Sequence, residues 1–172
     1  MNSVDVDSIE KRVASIIADG GGVIVGRTRL QKIAYLLTVV GFEDDLQYGY
    51  KYYGPYSEVV AAASSNNSLI REEITYTDWG SFYSIFSLAE SSVVQNTDRS
   101  NFIIKLKDSN AVVLELMATA VYCAKEKYDN PWQAVMNLKP EKASKNMLSD
   151  AKRLYSEMLE FITPRPLPKI TE

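Results

Sequence analysis

Residues 57–88 read SEVVAAASSNNSLIREEITYTDWGSFYSIFSL and place a short helix directly before two strands. Ser57 is a typical helix cap, and it predicts a helix that continues to about Asn66. The runs Leu69–Thr77 and Ser81–Leu88 are rich in β-branched and aromatic residues, and Asp78-Trp79-Gly80 supplies a turn between them. This pattern predicts a β-hairpin. A helix followed by a hairpin is typical of a winged helix-turn-helix, in which the hairpin is the wing.

Two further helices are predicted before this segment. Apolar residues recur at helical spacing from about Val6 to Ala18, and three glycines at 20–22 end the helix. Val23-Ile24-Val25 is interpreted as a short apolar linker. A second helix is expected from Arg29 to Val40, where Gly41 stops it.

A short aromatic strand is predicted between the second and third helices, at Tyr48–Tyr53, and Gly54-Pro55 is expected to break it. The resulting order of helix, helix, strand, helix and hairpin predicts a winged-helix-like core at residues 1–96. Residues 97–163 are expected to form a helical layer packed on it. In that layer residues 102–106 form either a helical turn or a short strand, and a last helix begins at Pro140.

The fold class predicted is therefore α+β and mostly helical, as one compact unit with a β-hairpin wing. The proline-rich tail at residues 164–172 cannot continue a helix, so we expect it to be extended or frayed.

Composition disfavours catalysis. The 172 residues include no histidine and one cysteine, Cys123, which removes Ser-His-Asp and Cys-His catalysis and zinc sites with histidine ligands. An enzyme using carboxylates or tyrosines stays open as a disfavoured alternative. We expect no catalytic residues, no cofactor and no metal site.

The sequence predicts a cytoplasmic protein. Its N-terminus lacks the basic and apolar regions of a signal peptide, and one cysteine cannot form an internal disulfide. The most apolar stretch, Ala111–Ala124, is too short and too polar to cross a bilayer. No membrane association is expected.

Residues 21–28 read GGVIVGRT, which differs from the phosphate-binding P-loop pattern by Arg27 in place of lysine. A P-loop follows a buried strand, whereas this segment is predicted to follow a helix. Its interior is also β-branched and stiff. We therefore interpret it as structural.

Charge argues against DNA as the partner. The third helix, which would be the recognition helix of a DNA-binding winged helix, has no Lys or Arg and one Glu, and residues 1–96 carry a net charge of −5. Residues 97–172 carry +2. The basic residues of the last helices alternate with acids and are interpreted as a solvated face; they are Lys139, Lys142, Lys145, Lys152 and Arg153.

Tyrosines are dense around residues 48–56, and tyrosine is a common anchor of protein interfaces. Alternation would place Tyr48, Tyr50 and Tyr52 on one strand face, which could equally face the core. The residues predicted to bind a partner are Arg27, Arg29, Tyr50, Tyr52, Tyr53, Tyr56 and Glu58.

Four segments resemble motifs of the YwgA-like proteins, distant relatives of the Panacea and SocA-like antitoxin domains. They read GRTRLQKIAYLL at 26–37, YYGPYS at 52–57, LMATA at 116–120 and NLKPEK at 137–142. The resemblance implies a neutralising or adaptor module in a toxin–antitoxin, phage or defence setting, with no catalytic residues. This chain departs from those relatives by its Arg27 and Arg29.

We therefore expect a non-enzymatic protein-binding module, an antitoxin-like or defence-associated adaptor or inhibitor, that grips another protein through its tyrosine-rich edge and third helix. The alternative is a winged-helix transcriptional regulator that binds DNA.

Overall fold

The computed structural model describes residues 3–171, and the side chains of residues 8–171. Its helices are α1 (Ser3–Asp19), α2 (Arg27–Val39), α3 (Glu58–Ser65), α4 (Asp98–Lys107), α5 (Ala111–Lys125), α6 (Pro131–Leu138) and α7 (Lys145–Met158). Its strands are β1 (Val23–Val25), β2 (Gly49–Lys51), β3 (Gly54–Tyr56), β4 (Ile70–Tyr76) and β5 (Phe82–Leu88). The mostly helical α+β class predicted from the sequence is confirmed.

The linker predicted at residues 23–25 is in fact strand β1. It pairs antiparallel with β5, and Ile24 lies fully buried opposite Phe86. The predicted hairpin of β4 and β5 is confirmed, and the three strands form one sheet in the order β1-β5-β4. A strand of three residues is too short to show a two-residue period, so the sequence pattern could not reveal β1.

The prediction that Gly54-Pro55 breaks the aromatic strand is wrong, because both residues belong to a second strand. β2 and β3 form a small antiparallel hairpin in which Tyr50 lies opposite Pro55 and Lys51 opposite Gly54. Tyr52 and Tyr53 form its turn. Proline is tolerated here because a two-stranded hairpin has free edges on which no N–H is needed.

The structure fixes the starts of two helices in the helical layer. Residues 102–106 belong to α4, whose start is fixed by a capping box between Thr97 and Ser100. The last helix begins at Lys145, capped by Ser144, and not at Pro140 as predicted. Pro140 instead opens a turn that is closed by a hydrogen bond from the Ala143 N–H to the Lys139 carbonyl.

Helix α5 is the centre of the helical layer, buried along most of its length and in contact with α2, α6, α7 and β3. The tail after α7 is extended and docked: the Arg165 N–H donates to the Val40 carbonyl, and Leu167 is buried. Over residues 3–171, no helix combines the length and apolar character needed to cross a membrane.

Candidate partner-binding site

The hairpin of β2 and β3, residues 49–56, carries four of the predicted tyrosines, and we call it the tyrosine hairpin. Tyr52 and Tyr53 lie at its turn with 70 % and 51 % of their surface exposed. Their rings meet edge to face at 4.9 Å between centroids. Large aromatic side chains held in solvent are the residue type that most often anchors protein interfaces.

Two buried lysines hold the backbone of the tyrosine hairpin from beneath. Lys32 on α2 donates from Nζ to the Pro55 carbonyl at 2.7 Å, and Lys139 after α6 donates to the Tyr52 carbonyl, also at 2.7 Å. Both residues are 1 % exposed. Lysine is rarely this buried unless it has partners, so each bond replaces water that the ammonium group has lost.

Glu115 on α5 balances this positive charge. Its buried carboxylate lies 2.7 Å from Lys139 Nζ and accepts hydrogen bonds from Lys142 Nζ at 2.9 and 3.0 Å. We call Lys32, Lys139, Lys142 and Glu115 the lysine cluster. It ties the tyrosine hairpin to α2, to the central helix α5 and to the turn that follows α6.

The lysine cluster holds three lysines and one carboxylate, so it carries excess positive charge. Burial lowers the pKa of Lys32 to about 7, against the opposing effect of Glu115 and with a smaller contribution from the charges of Lys139 and Lys142. Near neutral pH the amine is thus about half neutral, which reduces the cost of burying it.

This pKa leads to a testable pH dependence. Lys32 titrates near 10.5 when unfolded and near 7 when folded, so between those values the unfolded chain binds more protons and stability rises with pH. We expect the unfolding free energy of the wild type, relative to Lys32→Met, to increase from about pH 7 to about pH 9, at up to about 1.4 kcal/mol per pH unit. Urea denaturation of both proteins across that range measures it; parallel pH curves would contradict it.

Gly54 is fitted to this contact between hairpin and helix. Its φ of +93° is one that side-chain-bearing residues rarely adopt, and a Cβ there would lie 2.7 Å from Thr119 Oγ1 of α5. The hairpin therefore lies directly against α5, with no room for a side chain at this position.

The third helix is joined to the same site. Gln31 of α2 donates from Nε2 to the Ser57 carbonyl and accepts from the Ser57 N–H, both at 2.9 Å. Ser57 caps α3, so this pair of bonds fixes where the helix starts. Glu58 on the first turn of α3 forms an ion pair with Lys51, which also lies 4.3 Å from the centre of the Tyr56 ring.

A pocket of about 230 Å³ opens between α2, α3 and the tyrosine hairpin. Its size suits a single side chain, and its wall combines aromatic rings with hydroxyl groups. The lining residues are Arg27, Thr28, Leu30, Gln31, Lys32, Tyr53, Tyr56, Ala61, Ser64 and Ser65.

Of the residues predicted to bind a partner, Tyr50, Tyr52, Tyr53, Tyr56 and Glu58 lie together on and beside the tyrosine hairpin. Tyr48, Tyr50 and Tyr52 do not share one environment, because Tyr48 and Tyr50 pack on the Tyr35 and Tyr122 rings whereas Tyr52 faces solvent.

The two predicted arginines lie apart from each other. Arg27 lines the pocket and forms an ion pair with Glu72 of β4 at 2.7 Å. Arg29 donates to the carbonyls of Val25 and Ser109, so it links β1 to the turn between α4 and α5. Arg27 is therefore placed where a partner in the pocket would meet it, and Arg29 braces the fold.

The lysine cluster was not predicted from the sequence. Lys139 was expected on a solvated basic face, whereas it is buried and its ammonium group is bonded to Glu115 and to the Tyr52 carbonyl. One signal was present: Glu115 interrupts the most apolar helix of the chain, where a carboxylate needs a positive partner.

The segment at 21–28 contains strand β1. Its three valine and isoleucine residues form β1 and pair with β5, so they do not form an open loop of N–H groups around a phosphate.

Comparison with known proteins gives one relative. The chain is similar to the uncharacterized protein YwgA of Bacillus subtilis (strain 168). The two are 24 % identical over 160 residues, which covers 88 % of this chain and 96 % of YwgA. The similarity therefore runs through both the tyrosine hairpin and the lysine cluster, and it supports a YwgA-like family. No family model and no solved structure matches.

Proposed function

We propose that this protein is a non-enzymatic, cytoplasmic binding module that grips another protein through the tyrosine hairpin and the adjoining pocket. The observation that carries the proposal is the support given to exposed aromatic side chains: Tyr52 and Tyr53 are solvent-facing, yet the carbonyls of Tyr52 and Pro55 are bonded to buried lysines. A loop already ordered before binding loses less entropy when a partner docks, so the available contacts yield more affinity.

The electrostatics of the surface fit a protein partner. The tyrosine rings lie under Lys142, whose ammonium group is 4.4 Å from the centre of the Tyr53 ring. The neighbouring α3 presents Glu58 and small residues and no Lys or Arg. This mixture of aromatic rings, a rim of charge and a pocket for one side chain is typical of protein interfaces.

We propose the biological setting from the motif resemblance alone. The resemblance to distant relatives of the Panacea and SocA-like antitoxin domains suggests that the partner is a toxin or a component of a defence system, which this module would neutralise or recruit. The gene adjacent to this one in its genome is the first candidate partner, and co-expression followed by co-purification tests it.

Removing the anchors should weaken this complex. We expect the double variant Tyr52→Ala/Tyr53→Ala to raise the Kd of the co-purified partner about tenfold or more, because exposed aromatic anchors commonly contribute over 1 kcal/mol each. Calorimetric titration measures the change. The matched control is Tyr83→Ala, which removes a partly exposed tyrosine from β5. Equal affinity of both variants would refute the proposed surface.

One observation favours the alternative, a DNA-binding regulator. The elements α1, β1, α2, α3, β4 and β5 follow one another in the order expected of a winged helix, with the tyrosine hairpin inserted before α3. The absence of Lys and Arg from α3 weighs against it, since phosphate contacts supply most non-specific DNA affinity. A mobility-shift assay at about 50 mM salt decides: salt-sensitive binding supports the regulator.

A further inference from the structure

Strand β4 is an edge strand with an open side. Within residues 3–171, the sheet order β1-β5-β4 leaves one side of β4 without a neighbouring strand. The direction of the backbone hydrogen bonds alternates along β4. The Thr77 N–H donates to the Ser81 carbonyl and the Ala89 N–H to the Leu69 carbonyl, so the odd-numbered residues of β4 exchange bonds with β5. The N–H and C=O groups of Glu72, Ile74 and Tyr76 therefore point away from the sheet.

The side chains of this open edge are apolar toward the tip. Ile74, Tyr76 and Phe82 share one face of the hairpin, the continuation of the face that is buried nearer the body at Phe86. Tyr76 is 73 % exposed, and Trp79 at the turn is 94 % exposed. An open edge beside exposed aromatic rings is a template for pairing with another strand.

We propose that a second copy of this chain pairs antiparallel with β4, through a two-fold axis at Ile74, to form a continuous six-stranded sheet. The free edge sets this register. The Ile70 N–H already donates to the Asn67 carbonyl, so the open positions are Glu72, Ile74 and Tyr76. An axis at Ile74 uses all three, with Glu72 of each copy opposite Tyr76 of the other.

Charge separates this register from those shifted toward the start of β4. With the axis at Ile74, Glu73 faces Thr75 of the second copy and Arg71 faces Thr77, so no like charges are opposed. An axis at Glu73 or at Glu72 would place that carboxylate opposite itself, which is destabilising.

The apolar residues also match in this register. In this register the tip of one hairpin, which carries Tyr76, lies toward the start of β4 in the second copy, where Leu69 is itself 40 % exposed. The surface is thus complementary to itself, as a two-fold interface requires. Glu72 is bonded to Arg27, which lines the pocket beside the tyrosine hairpin, but the pairing of β4 does not depend on the function proposed for that hairpin.

Cysteine cross-linking tests the register. At the axis, the two Ile74 Cα atoms would lie about 5.5 Å apart, within the range of a disulfide. The Tyr76 positions of the two copies would be offset by four residues, about 13 Å along the strands. We expect oxidised Ile74→Cys to run as a covalent dimer on a non-reducing gel, and Tyr76→Cys to give at least about tenfold less dimer, as its Cα separation exceeds disulfide reach.

If the cysteines reacted only by random collision, Tyr76→Cys would give more covalent dimer than Ile74→Cys, because position 76 is more exposed than position 74. The native Cys123 is fully buried and does not compete. Sedimentation velocity of the wild-type chain should show twice the chain mass at high concentration, and Ile74→Lys should return it to the monomer mass. Equal cross-linking at both positions would overturn the proposal. A wild-type chain that stays monomeric at every concentration would also overturn it, and this is the result expected if β4 pairs with a different protein.

Discussion

Replacing Glu115 by glutamine should lower the free energy of unfolding by about 3–5 kcal/mol, because it leaves a buried lysine without its counter-ion. Glu115 is the carboxylate bound by both Lys139 and Lys142, and Lys139 is fully enclosed. Glutamine keeps the shape and one acceptor oxygen but removes the negative charge. Urea denaturation followed by circular dichroism measures the loss.

The control is Glu157→Gln, which removes an ion pair of similar chemistry on the surface. Glu157 is paired with Lys105 at 2.5 Å, and both side chains are about two-fifths exposed. Exposed pairs of this kind contribute little to stability, because water and salt screen them. If the Glu115 variant lost no more stability than the Glu157 variant, the buried charges would not be coupled as described.

A second variant connects this charge balance to the proposed binding surface. In Glu115→Gln/Lys139→Met the most deeply buried of the unpaired charges is removed, so part of the stability should return, while Lys142 still lacks its carboxylate. The Tyr52 carbonyl, however, has then lost the ammonium group that held it. The double variant should therefore be more stable than Glu115→Gln and still bind the partner less tightly than the wild type does.

The elements that the sequence predicted well are those long enough to show a period. The apolar stripe of α7 and the two seven-residue strands of the β4–β5 hairpin repeat often enough to be recognised. Strands β1, β2 and β3 have three residues each, so nothing repeats within them. They exist because partners distant in sequence pair with them, or because a tight turn folds the chain back.

The candidate site also has one part that the sequence predicted and one part that it did not. The tyrosines were predicted because their density and residue type are visible in a single segment. The lysine cluster joins residues from α2, α5 and the turn after α6, and a lysine is ordinarily solvated. Only the packed structure shows that Lys32 and Lys139 point inward, toward carbonyl groups of the tyrosine hairpin. The sequence had predicted a single strand that ended before Gly54 in place of this hairpin.

Replacing Gly54 by alanine should cost about 2–4 kcal/mol of stability, from two separable causes. The φ of +93° strains any residue with a Cβ, and the new methyl group would lie 2.7 Å from Thr119 Oγ1. Since Lys32 Cε lies 3.5 Å from the same position, the hairpin could not shift toward α2 to relieve the contact. Denaturant unfolding measures the total.

Two further variants separate these causes. Gly22 has a φ of +87° and no atom within 4 Å of its Cβ position, so Gly22→Ala carries the backbone strain without the collision. Thr119 Oγ1 donates within its own helix, to the Glu115 carbonyl, and Thr119→Ala removes the colliding atom; the single Thr119→Ala variant measures what that change costs by itself. Gly54→Ala should therefore lower the free energy of unfolding more than Gly22→Ala does. Adding Thr119→Ala to Gly54→Ala should recover the difference between the two glycine variants. If Gly54→Ala were no worse than Gly22→Ala, the hairpin would be free to move away from α5, and the rigid support proposed for Tyr52 and Tyr53 would be lost with it.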